Sequence, residues 1–424
     1  MRDLINKFFK KEKKINQFFS QFQNLRQNTD VEKIFKSISV FSNNSEVRYV
    51  GGCIRKILNK EKVDDIDLAA NINPIEVSQS LKENGINYYE TGIEHGTLTA
   101  TIKDQNFEIT SLRKDISTDG RHAKVEFSES WYEDASRRDF TINSIYADLD
   151  GNLYDPFNGK KDLENGVIKF IGDPEKRIRE DYLRILRYIR FFLNYSRNKH
   201  DAKVIKIIKQ NLSGLSKISS ERLLDELKKL VLSKGFLKLF KDDFCLEIIG
   251  LIFPQLKNLS LFKNLNKYAL ENIFSQDFIF LISLMIIDET DNAEYFLYKF
   301  NISNEEKKRI KFLKDIFSKT PDKRIFEEKN LWKILYFNNN SLLNDLINFQ
   351  IFKSKKEDKK LIKLKEYFSL QVPPKLHVKA KSLMEKFNLK EGKELGDKLK
   401  QIETIWVNNS FKISEDQIEK IIKN

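Results

Sequence analysis

The most restrictive feature of this sequence is a single change of pattern near residue 155. Between residue 47 and about residue 150, short β-prone runs alternate with helical stretches such as PIEVSQSLKENG. The β-prone runs are VRYVGG, DIDLAA, GTLTATI, FEITSL and TINSIYADL. After Asp155 the strand signals fade, and long amphipathic patterns continue to the end of the chain. We therefore expect an α+β fold, with a mixed-sheet head ahead of an all-α region.

Smaller changes of pattern divide the chain further. The first segment predicts one or two helices, because apolar residues recur at helical intervals, at Leu4, Phe8, Phe9, Ile15 and Phe19. The paired prolines of LQVPPKLHVK predict a joint, since a helix rarely continues through two prolines. The pattern therefore separates N-terminal helices over 1–46 from a mixed-sheet domain over 47–154, and the prolines separate a last helical unit from the helical region that begins at residue 155.

The bulk composition of the 424 residues excludes several classes of protein. Cys53 and Cys245 are too far apart to form a disulfide framework, which favours a reducing, cytoplasmic setting. The N-terminal segment interleaves lysines with apolar residues and predicts no export signal, and the longest apolar run, FIFLISLMII, is too short to span a membrane. A net charge of +13 favours a nucleic-acid partner, although a compositional bias towards lysine would explain it equally well.

Two aspartates in DDIDLA suggest a metal site. Residues two apart in an extended strand point the same way, so Asp65 and Asp67 place two carboxylates on one face, while Asp64 faces the other. Adjacent carboxylates repel unless a cation lies between them, and Mg²⁺ prefers such oxygen ligands. Glu108 lies in a strand between two apolar residues and would complete a trio of acids. The alternatives are a D-x-D at an ordinary strand end and a glutamate that faces solvent.

A glycine pair precedes these acids. Gly51 and Gly52 follow an apolar strand and allow the backbone to approach an anion closely. Arg55 lies one helical turn further on, where it can meet a phosphate. The alternative is an ordinary strand-to-helix turn.

Several ordered blocks together resemble a known family. They are GG followed by Arg55, DDIDLA, EHGTLTA, FEITSLRKD, DGRHAKVEF, RRDFTIN, YDPFNGKKDL, EDYLRILR and SSERLLDEL, over about residues 45 to 235. Their order and spacing are similar to those of the class II (bacterial-type) tRNA nucleotidyltransferases, the CCA-adding enzymes. The ending EGKELGDKLKQIETIWVNNSF is a weaker match to the family's tail.

The resemblance implies both a fold and a reaction. It implies a nucleotidyltransferase head of the DNA polymerase β type over 47–154, followed by a helical neck over 155–235, a helical body over 236–372 and a helical tail over 373–424. It also implies that CTP and ATP are added to the 3′ end of tRNA without a nucleic-acid template, with two Mg²⁺ ions and release of pyrophosphate. The expected partners are tRNA, CTP and ATP, with no DNA and no membrane, in the cytoplasm.

The resemblance also assigns site residues. It implies that Asp65 and Asp67 hold the metals and that Glu108 is the third catalytic acid. The residues expected to bind the nucleotide and its phosphates are Gly51, Gly52, Arg55, Arg113, Arg137, Arg138, Asp139 and Asn143. The block expected to act as a hinge between head and neck contains Asp155, Gly159 and Asp162. One departure is Lys56, where the family usually has an acid after the arginine.

The block EDYLRILR suggests how bases are selected. Asp181 and Arg184 are three apart, so on a helix they would share one face. An acceptor-only carboxylate beside a donor-only guanidinium matches cytosine and adenine, whereas uracil and guanine would leave polar groups unpaired. Arg187 and Arg190 continue the basic stripe and are equally suited to phosphate contact and to solvent. A plain surface ion pair is the alternative for Asp181 and Arg184.

Related activities stay open at this level. The head is shared with CC-adding and A-adding enzymes and with bacterial poly(A) polymerases, and a catalytically silent RNA-binding protein is a further alternative. The segment DISTDGRHAKVEFSESW resembles the flexible loop that full CCA addition needs, which favours that activity. We expect His122 in this loop to be a bystander.

Overall fold

The structure is a computed structural model that describes residues 18–93, 96–117 and 124–423. Its contacts divide the chain into two compact units, Met1–Ile252 and Phe253–Asn424. Within the described ranges, no helix combines the length and the apolar character that crossing a bilayer requires. The predicted positions Leu4, Phe8, Phe9 and Ile15, the loop centre 118–123 and His122 lie outside the described residues.

A mixed sheet organises the first unit. The described strands are β1 Val47–Val50, β2 Asp67–Ala70, β3 Asn87–Gly92, β4 Thr97–Ile102, β5 Gln105–Ser111, β6 Arg113–Ser117, β7 Lys124–Phe127, β8 Tyr146–Ala147 and β9 Leu153–Tyr154. Seven of them form one sheet in the order β3-β4-β5-β2-β1-β8-β9, and β6 and β7 form a separate ribbon. Only β2 and β5 pair in parallel among the described strands of the large sheet.

The two faces of the sheet have different cores. One face is covered by helix α1 (18–28), α2 (Val31–Ser39), α3 (Gly52–Leu58) and α4 (Pro74–Glu83). Their apolar side chains pack with Tyr49, Leu68 and Phe107. On the other face, α5 (Trp131–Arg137) packs Ala135 against Val50, Ala69 and Tyr146. Because side chains alternate along a strand, polar residues of β2 and β5 that flank the first core lie on the second face.

Helices follow the sheet to the end of the first unit. They are α6 Gly159–Asn165, α7 Pro174–Glu180, α8 Arg184–Tyr195, α9 Ala202–Asn211, α10 Ser220–Val231 and α11 Asp243–Ile252. The ring of Phe140, which follows α5, contacts Phe170 and Phe191, with centroid distances of 4.7 and 5.4 Å. These aromatic contacts hold α8 beside the sheet.

The regular secondary structure in the described residues of the second unit is helical. Its α-helices are α12 Lys267–Asn272, α13 Phe278–Ile286, α14 Asn292–Lys299, α15 Asn304–Phe317, α16 Glu328–Phe337, α17 Asn340–Lys353, α18 Lys359–Ser369, α19 Ala380–Phe387, α20 Lys393–Asn408 and α21 Glu415–Lys423. The apolar run at 278–287 forms α13, whose nine residues are all buried, so it is a core helix. Residues 371–379, with Pro373 and Pro374, have no regular secondary structure.

The prediction of an α+β fold is confirmed, but the secondary structure predicted for two segments is wrong. TINSIYADL was predicted as a strand, but residues Thr141–Asn143 form a 3₁₀ turn and only Tyr146–Ala147 pair in the sheet. EDYLRILR was predicted as one helix, but the helix is broken at Asp181. The division into neck, body and tail stays a prediction.

Candidate active site

The strand pairing brings the three predicted acids together. Asp67 begins β2 and lies directly opposite Glu108 of the parallel strand β5. Asp65 precedes β2, although the sequence predicted that it would lie within this strand. Buried Ile66 lies between Asp65 and Asp67, with the alternation expected of an extended chain. All three acids, which we call the carboxylate wall, line one cavity of about 600 Å³.

The acids of this wall repel one another. Burial, followed by the charges of Glu108 and Asp65, raises the pKa of Asp67 to about 6, although Arg138 and Arg55 act in the opposite direction. A carboxyl group with a raised pKa is one whose negative charge is not fully compensated. A divalent cation would supply the missing positive charge, and oxygen-only donors suit a hard cation. The residues present therefore fit a divalent metal.

Two glycines shape the cavity floor next to these acids. Gly51 has a φ of +62°, in the left-handed region that favours glycine, and its N–H donates to the carbonyl of Ile145. A Cβ atom at Gly52 would lie 3.3 Å from Oδ2 of Asp67. Side chains at either position would therefore strain the turn or crowd the carboxylate wall.

Six arginines line the same cavity. This arginine wall consists of Arg55, Arg137, Arg138, Arg184, Arg187 and Arg190. Asp134 of α5, only 1% exposed at its side chain, binds two of them: its Oδ1 lies 2.6 Å from Arg137 Nη2, and its Oδ2 lies 3.0 Å from Arg138 Nη2. Burial alone would raise the pKa of Asp134, but Arg138 and Arg137 hold it well below its ordinary value. Asp134 is thus a buried anion that fixes both guanidinium groups.

A second buried aspartate organises the centre of the cavity. Asp139 Oδ1 accepts a hydrogen bond of 2.8 Å from Asn143 Nδ2, and Asp139 Oδ2 accepts one of 2.6 Å from Arg187 Nε. Asn143 in turn accepts through its Oδ1 from Arg55. Burial alone would raise the pKa of Asp139, but Arg187 and these hydrogen bonds hold it well below its usual range. The predicted residues Arg55, Asp139 and Asn143 therefore form one continuous network.

The prediction that Asp181 and Arg184 share one helix face is wrong. Asp181 ends α7 in an extended conformation, and Arg184 begins α8. Oδ1 of Asp181 accepts from the Leu183 N–H at 3.2 Å, which competes with continuation of the helix. Both side chains nevertheless line the cavity.

Each of these two residues has other partners in the structure. Asp181 Oδ2 lies 2.7 Å from Arg222 Nη2 of α10. Arg184 Nη1 donates to Glu180 Oε2 at 2.6 Å and to the carbonyl of Arg177 at 2.8 Å. A nucleotide base bound by this pair would have to share or replace these contacts.

Arg187 and Arg190 each bind a buried acid. Arg190 donates through Nε to Glu226, which is 2% exposed, and Arg187 binds Asp139. The guanidinium carbons of Arg55, Arg187 and Arg190 lie 4.7, 5.4 and 4.3 Å from the ring centroid of Phe191. One aromatic ring thus supports three members of the arginine wall.

Four predicted residues lie elsewhere. Arg113 begins β6 and is not among the described residues that line the cavity. The predicted hinge packs tightly: Asp155 accepts from the Gly159 N–H at 2.7 Å, and Asp162 accepts from the Thr141 hydroxyl at 2.7 Å. The roles of Arg113 and of the hinge residues stay predictions.

Lys56 lies at the cavity edge. Its Nζ is 3.4 Å from Oδ2 of Asp64, the aspartate that was expected not to be a ligand. The position that usually carries an acid thus carries a cation paired outside the carboxylate wall.

Sequence reasoning missed two of the acids that hold the arginines, Asp134 and Glu226. Asp134 lies three and four residues before Arg137 and Arg138, a spacing that favours contact on a helix, so it was detectable. Glu226 binds Arg190 across 36 residues of chain, and no local pattern indicates that pairing.

The fold and this site define a nucleotidyltransferase head of the poly(A) polymerase type. The family described as the poly A polymerase head domain matches residues 47–169. The family described as the probable RNA- and SrmB-binding site of polymerase A matches residues 201–260. The head match contains every residue of the carboxylate wall.

Whole-length relatives narrow the class. The chain is 33% identical over 404 residues to the CCA tRNA nucleotidyltransferase 1, mitochondrial, of Homo sapiens, covering 90% of this chain and 87% of that one. It is 29% identical over 385 residues to the CCA-adding enzyme of Lactobacillus helveticus, covering 89% and 93%. The chain belongs to the CCA-adding tRNA nucleotidyltransferase family, which confirms the resemblance.

Solved structures agree on the fold. The Bacillus stearothermophilus CCA-adding enzyme in complex with CTP matches with a TM-score of 0.69 at 20% identity, over 97% of both chains. The Thermotoga maritima CCA-adding enzyme complexed with tRNA_CCA matches with a TM-score of 0.58 at 20% identity, over 95% of this chain and 98% of that one.

Proposed function

We propose that this enzyme adds or repairs the 3′-terminal CCA of tRNA from CTP and ATP, without a nucleic-acid template and with release of pyrophosphate. The observation that carries the proposal is the meeting of the carboxylate wall, the arginine wall, Asp181 and Arg184 around one cavity. The family supplies the reaction, and the cavity supplies groups of the right chemistry for each part of a nucleoside triphosphate.

The carboxylate wall would hold two Mg²⁺ ions, with Asp65 and Asp67 as the metal ligands. Burial, followed by repulsion from Glu108 and Asp65, raises the pKa of Asp67, and this supports the assignment because a bound cation would stabilise the charged carboxylate. Bound Mg²⁺ would supply activation of the attacking 3′ hydroxyl and neutralisation of the leaving pyrophosphate. Glu108, directly opposite Asp67, adds the third carboxylate.

The arginine wall and the glycine turn would bind the triphosphate. Arg55 lies on α3, just after the turn at Gly51 and Gly52, and both glycines leave the backbone accessible to an anion. Asp134 and Asp139 fix Arg138 and Arg187 before any ligand binds, so little reorganisation is needed when phosphate arrives. Asn143 and Asp139 would orient the nucleotide near these arginines.

Asp181 and Arg184 would select cytosine and adenine. The carboxylate accepts from the exocyclic amino group of either base, and the guanidinium donates to the adjacent ring acceptor. Uracil and guanine present the opposite pattern, so both would leave buried groups unpaired at a cost of about 1–3 kcal/mol. In this arrangement, base choice depends on two side chains at a helix junction rather than on one helix face.

Three further expectations complete this proposal. The segment 115–131, which resembles the family's flexible loop, overlaps β6 and contains β7, and these strands pair as a ribbon from Arg113–Phe127 to Ser117–Lys124. The lysine-rich second unit would hold the tRNA backbone through its charge. A cytoplasmic location is a prediction from the sequence alone.

Nucleotide addition to defined tRNA transcripts tests the proposal. Transcripts ending at the discriminator base, at C and at CC are incubated with labelled CTP and ATP, separately and together. The proposal expects two CMP additions followed by one AMP. Addition of CMP without AMP would indicate a CC-adding enzyme, AMP on the CC transcript alone an A-adding enzyme, and long AMP tails a poly(A) polymerase.

A pair of variants tests the metal assignment in the same assay. Replacing Asp65 and Asp67 by alanine is expected to abolish incorporation. Asp64→Ala is the matched control, because Asp64 is exposed and pairs with Lys56 and Lys62 instead of lining the cavity. Undiminished incorporation by the double variant would overturn the assignment and favour a different set of ligands.

A further inference from the structure

Three potential metal-ligand atoms meet elsewhere in the first unit, in a cluster formed by His200, Asp242 and Cys245. His200 lies just before α9, and the other two residues lie at the start of α11. His200 Nε2 is 3.0 Å from Asp242 Oδ2 and 3.6 Å from Cys245 Sγ. All three ligand atoms lie within 4.8 Å of one another.

The surroundings of the cluster are apolar. Cys245 is fully buried, and the side chain of His200 is 8% exposed. The imidazole stacks on Phe192 with a centroid distance of 3.5 Å and meets the edge of Phe244. Asp242 is 23% exposed at its side chain and provides the route from solvent.

Hydrogen bonds fix the orientation of two of the three groups. The hydroxyl of Tyr188 lies 3.0 Å from His200 Nδ1. When Nδ1–H donates to this hydroxyl, the lone pair of Nε2 faces the carboxylate and the sulfur. Asp242 Oδ1 accepts from the Cys245 N–H at 2.9 Å, which leaves Oδ2 towards the imidazole. Metal-binding histidines commonly have such a partner on the second ring nitrogen.

We propose that His200 Nε2, Asp242 Oδ2 and Cys245 Sγ form a binding site for one zinc-class divalent ion. A mixed nitrogen, oxygen and sulfur donor set suits Zn²⁺ better than Mg²⁺. Tetrahedral Zn²⁺ with ordinary bond lengths separates N from S by about 3.6 Å and N from O by about 3.4 Å. The first separation matches the structure, and the second requires the carboxylate to move by a few tenths of an ångström.

The ion would stabilise α8, the helix that separates the cluster from the candidate active site. Tyr188 and Phe192 of α8 face the cluster, while Arg187 and Phe191 of the same helix line the cavity. Metal binding would fix α8 against α9 and α11, with release of the thiol proton and with water in the fourth position. This inference does not depend on which nucleotides the enzyme adds.

Cobalt titration of the full-length, chelator-treated protein tests the site. Co²⁺ bound to a thiolate gives a charge-transfer band in the near ultraviolet, which carboxylate sites in the cavity do not give. We expect this band to saturate at one ion per chain and to disappear when Zn²⁺ is added. Zn²⁺ should also raise the melting temperature by several degrees.

Variants distinguish the site from a purely hydrogen-bonded cluster. Cys245→Ser should abolish the band, and Asp242→Asn should weaken Co²⁺ binding at least tenfold while it retains the helix cap. Cys53→Ser is the matched control, because Cys53 is a buried thiol in the sheet core and should leave binding unchanged. Absence of a band in the wild type, or unchanged affinity in Asp242→Asn, would overturn the proposal even if Cys245→Ser fails to fold.

Discussion

The two walls of the candidate active site are stabilised in opposite ways. In the carboxylate wall, burial and then the charges of Glu108 and Asp65 raise the pKa of Asp67 to about 6. In the arginine wall, Asp134, Asp139 and Glu226 are almost fully buried, and each is bound to arginines. The charges of the arginine wall are compensated by acids of the protein itself, whereas the carboxylate wall has excess negative charge until a cation binds.

This difference indicates how the site divides its tasks. Buried acids keep the guanidinium groups in place, which favours recognition of a triphosphate without rearrangement. The repulsion between the catalytic acids lowers the stability of the metal-free fold and strengthens binding of a divalent cation. Removing charge should therefore have opposite effects on the stability of the two walls.

Asp134→Ala should give the largest effect. The change leaves Arg137, Arg138 and the Tyr146 hydroxyl without their buried acceptor, so we expect a loss of about 3–5 kcal/mol in unfolding free energy. Urea unfolding followed by Trp131 fluorescence, with Trp332 and Trp406 replaced by phenylalanine, measures it. Glu133→Ala on the same helix is the control, because Glu133 is exposed. Equal losses of unfolding free energy in both variants would show that the buried contacts of Asp134 do not stabilise the fold.

Gly51→Ala tests the turn that joins the walls. The φ of +62° disfavours alanine, and the added Cβ would lie 3.4 Å from Arg138 Nη1. We expect a loss of about 2 kcal/mol and weaker triphosphate binding. Gly85→Ala is the matched control, since its φ is +67° with no atom within 4 Å of the new Cβ. If the two variants lose equal stability and bind nucleotide equally, the contact with Arg138 has no effect.

Asp67→Asn should stabilise the metal-free protein. The folded pKa of Asp67, about 6, lies above its ordinary value of 3.8, so the native state binds the proton more tightly than the unfolded state does. The contribution of Asp67 to the free energy of unfolding therefore falls as pH rises from about 4 to above 6. We expect a gain of about 1–2 kcal/mol at pH 8 that disappears at pH 4. In saturating Mg²⁺, the wild-type protein should instead be more stable than the Asp67→Asn variant. A gain that is equal at both pH values would contradict the electrostatic explanation.

The sequence predicted every member of both walls, but it did not predict Asp134 and Glu226, the acids that hold part of the arginine wall. Period-two alternation is local, so Asp65, Asp67 and Glu108 could be identified before their strands were paired. The parallel pairing of β2 with β5 is a long-range choice, and only the fold shows that Asp67 lies opposite Glu108. The helix break at Asp181 and the contact between Arg190 and Glu226 depend on tertiary partners, which periodicity does not contain.

Lys56→Ala should have the smallest effect on stability. It tests whether Lys56 affects the carboxylate wall or binds nucleotide like the arginine wall. Lys56 lines the same cavity as the carboxylate wall, and within the described part of the chain its acidic partner is exposed Asp64, at 3.4 Å. An exposed pair contributes about 0–1 kcal/mol, so the melting temperature should hardly change. Removing this cation makes the neighbourhood of Asp67 more negative, so the Mg²⁺ concentration for half-maximal activity should fall by about twofold. The Lys56→Met variant provides a control of similar length without charge and should behave like Lys56→Ala. A higher Mg²⁺ requirement in both variants would show instead that Lys56 binds the nucleotide, as a member of the arginine wall would.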